Sequence, residues 1–73
     1  MTPDEKTEEL ADFVTAFRRE LKVEAVDAGN DVHFLRLTYK EGKRITQIGL
    51  DAEDARRLAQ IFHDWADRVQ SGS

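Results

Sequence analysis

Residues 23–50 read VEAVDAGNDVHFLRLTYKEGKRITQIGL, three apolar-rich segments separated by two turn clusters. Val32 to Tyr39 is dense in β-branched, aromatic and aliphatic side chains, the composition of a strand half-buried in a sheet. Val23 to Asp27 and Arg44 to Leu50 repeat the pattern on either side. Between them lie Ala28-Gly29-Asn30-Asp31 and Lys40-Glu41-Gly42-Lys43, rich in residues that accept the positive φ of tight hairpin turns. Three strands joined by two short turns predict an antiparallel meander.

Downstream, Asp51 is placed to cap a helix, with Glu53 and Asp54 in its first turn. Ala55, Leu58, Ala59, Ile61, Phe62, Trp65, Ala66 and Val69 fall within an arc of roughly 160° at helical spacing. Upstream, Leu10, Phe13, Val14, Phe17 and Leu21 recur at i, i+3, i+4, i+7 and i+11, the signature of an amphipathic helix. Thr2-Pro3-Asp4-Glu5 reads as its capping box, and acids early with Arg18, Arg19 and Lys22 late suit a helix dipole. The expected fold is therefore two-layer α+β, helix–three strands–helix (αβββα). It forms one domain over residues 1–70, with a flexible tail over 71–73.

With two-residue loops at Gly29-Asn30 and Glu41-Gly42, alternation sorts the sheet into two faces. Val26, His33, Leu35, Leu37, Tyr39, Thr46, Ile48 and Leu50 share the more aliphatic face, assigned to the helices. The other carries Val23, Ala25, Val32, Phe34, Arg36, Thr38, Ile45, Gln47 and Gly49, with Phe34 across from Gly49. Two helices need about 18–20 Å of width and three strands supply about 14 Å, so apolar surface is left over. Either the helices take opposite faces of the sheet or a second copy completes the core; a homodimer is the expected solution, and Val32, Phe34 and Ile45 are the candidate dimer and protein-interaction face.

The 73 residues carry 15 acids against 11 bases, a net charge of −4, and no cysteine. That excludes a disulfide framework, a thiolate nucleophile and a cysteine-held zinc. No unbroken apolar run exceeds two residues, so no membrane-spanning segment is expected, no membrane partner, and a cytoplasmic location. The only serines are Ser71 and Ser73, and His33 and His63 stand thirty residues apart without metal-ligand spacing. Gly42 and Gly49 stand alone, outside any phosphate-cradling motif. No catalytic, metal or cofactor site is expected, and the chain does not read as an enzyme.

Positive charge collects on the second hairpin. Residues 32–50 carry four bases and one acid, while residues 1–31 are net −5 and residues 51–73 net −2. Phe34, Arg36, Lys40, Lys43 and Arg44 are thus candidate nucleic-acid contacts, since an aromatic beside cations on a sheet can stack single-stranded bases. The same residues also suit a solubilised sheet edge.

The order basic turn, Lys43-Arg44-Ile45-Thr46, then Gly49-Leu50-Asp51-Ala52-Glu53-Asp54 opening a terminal helix resembles the C-terminal half of the PC4-type transcriptional coactivators. The resemblance spans a third of the chain. It implies a homodimer that binds single-stranded DNA on its sheet. The expected long N-terminal helix and acidic balance depart from that family. The reading reached from sequence is a small, non-catalytic intracellular interaction or regulatory protein, a homodimer recognising an unidentified protein partner. The alternative is single-stranded nucleic-acid binding.

Overall fold

A computed structural model describes residues 5–72. The chain runs β1 (Lys6–Val14), β2 (Glu20–Asp27), β3 (His33–Glu41), β4 (Arg44–Leu50) and α1 (Ala52–Gly72). The four strands form one antiparallel sheet in sequence order. The class is α+β with an antiparallel meander and a C-terminal helix.

The N-terminal segment corrects the sequence reading: residues 6–14 are a strand, not a helix, so the layout is ββββα rather than αβββα. Three features imitate a helix there. A β-bulge at Leu10 breaks the register between Glu9 and Ala11. The inserted residue turns two-residue alternation into a three-residue step from Glu8 to Ala11, which imitates helical spacing. The turn after β1 has no glycine: Arg18 takes φ 64°, while the Thr15 hydroxyl accepts the amides of Phe17 and Arg19 at 3.3 Å. The charges that suited a helix dipole serve the sheet instead, as Lys22 Nζ lies 3.8 Å from both Glu9 and Glu24. Of the capping box, Thr2, Pro3 and Asp4 lie outside the described residues.

The β2–β3 connection is also longer than two residues. Asp27 pairs with His33, so residues 28–32 form the turn, with Gly29, Asn30 and Asp31 all at positive φ. The Gly29 amide donates to Asp27 Oδ1 at 3.0 Å. The longer turn slips the register of β2 by one residue, and every one of its side chains changes face. Val23 and Ala25 join Leu35 and Leu37, while Val26 moves beside Phe34. The β3–β4 loop is Gly42-Lys43, closed by Glu41 and Arg44. Arg36 therefore faces Gly49 in register. The ring of Phe34 reaches Gly49 diagonally, 3.7 Å from where a Cβ would stand.

The helix begins as expected: the Asp54 amide donates to Asp51 Oδ1 at 2.8 Å, an N-cap bond. It continues through Gly72, so Ser71 and Gly72 are helical rather than tail. Among the described residues it packs against β3 and β4 and against neither β1 nor β2. A helix about 10 Å across cannot cover a four-stranded sheet roughly 19 Å wide.

Candidate interaction surface

The register gives the sheet two unlike faces. On one, the apolar face, Ala11, Phe13, Leu21, Val23, Ala25, Leu35, Leu37, Tyr39, Ile48 and Leu50 line up across all four strands. The helix lies on this side. Its stripe stays open, with Ile61, Phe62, Trp65 and Val69 all exposed. Phe13 from β1 faces Ile61, Phe62 and Trp65 across a cleft of about 1180 Å³.

Little else is dry. Among the described residues Val26 is the one buried apolar side chain, and no helix residue is buried. The chain exposes 6295 Å² of surface. A compact monomer of its 8.4 kDa would expose about 4600 Å². The excess, roughly 1700 Å², matches what one partner contributes to a large homodimer interface.

The charged face carries four acids, Glu9, Asp12, Glu20 and Glu24, against three bases, Lys22, Arg36 and Lys40. Arg36 Nη2 lies 3.1 Å from Glu5 Oε2, Nη1 lies 3.9 Å from Glu24 Oε1, and the guanidinium sits 5.9 Å over the Phe34 ring. Thr38, buried at the centre of this face, accepts from Gln47 Nε2 at 3.2 Å. The structure thus brings Phe34 and Arg36 together, as the sequence suggested, but with carboxylates on the cation and Phe34 partly buried. Val32 lies in the β2–β3 turn and Ile45 at the far end of β4. Both are exposed, at opposite ends of the sheet.

Lys40, Lys43 and Arg44 sit at the end of the sheet where β3 turns into β4. The β1–β2 turn lies beside them, tied by Arg19 Nη2 to Glu41 Oε2 at 3.4 Å. Arg18 and Arg19 therefore join the basic hairpin at one end, a juxtaposition the sequence reading missed because it placed them on a helix. Phe17, 83% exposed, projects from the same turn. Lys40 is paired with Glu20 at 3.8 Å, whereas Arg18, Lys43 and Arg44 have no ion-pair partner among the described residues. His33 and His63 are exposed, near Asp27 at 4.0 Å and Asp67 at 3.4 Å respectively.

The chain belongs to DUF6967. It is a family of unknown function, and the match covers residues 4–68, the whole sheet and most of α1. No curated protein and no solved structure matches the chain. The strand-to-helix order over residues 43–54 is present. Among the described residues no helix is long and apolar enough to cross a membrane.

Proposed function

We propose that this DUF6967 chain is a small non-catalytic interaction protein that works as a homodimer through the apolar face of its sheet and the open stripe of α1. The carrying observation is the roughly 1700 Å² of surface in excess of a compact monomer, with the apolar cleft between Phe13 and Trp65 open. Chains of this size without metal or disulfide commonly complete a thin core by association. The occupant is a second copy because the same surface supplies both halves of an isologous contact. Light scattering across a concentration series tests it. Wild type should show twice the chain mass, and Trp65→Asp should lower it to one chain while helix content persists. A wild-type monomer at all concentrations rejects the proposal.

A second reading, binding of single-stranded nucleic acid, is favoured by the five bases gathered at one end of the sheet beside the exposed Phe17. The charged face supports it less, because Arg36 already lies against Glu5 and Glu24. Binding there should fall steeply with salt and be lost in Lys43→Glu/Arg44→Glu. A salt-independent interaction, or none with oligonucleotides, rejects this reading.

A further inference from the structure

The two edges of the sheet are defended differently. β1 is broken by the bulge at Leu10 and lined with Glu8, Glu9 and Asp12, features that discourage another strand from pairing. β4 has neither. Its seven residues, Arg44–Leu50, hold an unbroken register with β3 and include no acid and no proline. Ile45 and Ile48 on it are 60% and 49% exposed. An open, regular, apolar edge invites a strand from another chain.

We infer that two copies join edge to edge through β4, antiparallel about a two-fold axis at Gln47, into one eight-stranded sheet. This rests on the homodimer reading and specifies its geometry. A two-fold axis perpendicular to the sheet must pair residues of like face, and centring on Gln47 is the choice that aligns all seven residues of both strands. Thr46 then meets the partner's Ile48 on the apolar face. Ile45 meets the partner's Gly49, beside the ring that covers it. Lys43 comes opposite the partner's Asp51, so opposite charges meet at both ends and no like charges face each other. The same axis sets both helices on one side of the joined sheet, each over its own β3 and β4 beside the seam. β1 stays outermost at both ends, which closes the assembly at two copies.

The chain has no cysteine, so single cysteines report the geometry directly. In this arrangement the two copies of residue 47 are directly opposite, with Cα atoms about 4.5–5.5 Å apart, within disulfide range. Two copies of residue 45 are offset by about 13 Å along the ladder, out of range. Under mild oxidation Gln47→Cys should convert most of the protein to a covalent dimer, and Ile45→Cys, itself 60% exposed in the wild type, at least tenfold less. Gln47 also donates to Thr38, so a second probe leaves it intact: mixed Thr46→Cys and Ile48→Cys chains should cross-link to each other more than to themselves. A light-scattering dimer in which neither probe shows this selectivity overturns the β4 geometry and leaves the dimer standing. A wild-type monomer overturns both.

Discussion

The guanidinium of Arg36 lies 5.9 Å over the ring of Phe34, and Glu5 and Glu24 hold it from two sides. The same ring covers the bare backbone of Gly49 on the neighbouring strand. Phe34 thereby links β3 to β4 on the charged face, while the ion pairs add orientation more than energy. Phe34→Ala should destabilise the fold by about 2–3 kcal/mol, from lost ring burial and the cation–π contact. Glu24→Gln should cost no more than about 1 kcal/mol. Denaturant titration of both variants checks the ranking; equal costs would mean that the ion pairs, not the ring, hold this face.

Two turn residues carry opposite local strain. Gly42 takes φ +61° with open space where a Cβ would stand, so Gly42→Ala is opposed by backbone conformation alone. It should cost about 1 kcal/mol. Arg18 takes φ 64° with a full side chain, and Arg18→Gly should leave stability unchanged or raise it by up to about 1 kcal/mol. A thermal melt in which Arg18→Gly lowers stability as much as Gly42→Ala would show that the Arg18 side chain makes a stabilising contact.

The helix has few tertiary contacts, so its cap matters more than usual. Asp51→Ala removes the acceptor for the Asp54 amide and should cost about 1 kcal/mol, with Asp51→Asn nearly neutral. The loss should show first as reduced helical circular dichroism, before the sheet melts. If Asp51→Ala leaves helix content unchanged, docking on β3 and β4 rather than the cap sets helix stability.

These features also show what the amino-acid sequence made legible. β3, β4 and α1 stood out because Gly42, Asp51 and the Ala55–Val69 stripe mark their boundaries with chemistry specific to turns and helices. β1 did not, since its bulge at Leu10 and a turn at Arg18 without glycine left a pattern that helical periodicity fits equally well. Local spacing cannot separate the two; cross-strand partners such as Leu21 for Phe13 can, and those are distant in sequence. The face assignment of β2 failed for a related reason. Asn30 and Asp31 both take positive φ, and a five-residue turn differs from a two-residue one by an odd number, which inverts every side chain. Of the candidate site, the proximity of Phe34, Gly49 and Arg36 was readable from alternation, whereas the gathering of Arg18 and Arg19 with Lys43 depended on the hairpin that was missed.

Trp65 offers the most direct check on the coupling between fold and assembly. It is the chain's one tryptophan, it lies on the helix stripe that faces Phe13, and in a single chain it is 57% exposed. Association over that stripe would remove it from water, so its emission should shift to shorter wavelength as protein concentration rises. Because a second copy binds the folded state and not the unfolded one, the melting temperature should rise over the same range. Both changes should be absent in Phe62→Asp, one turn away on the same stripe. A concentration-independent emission maximum, together with a concentration-independent melting temperature, would mean that the stripe stays wet and that the apolar face of a single chain is stable as it stands.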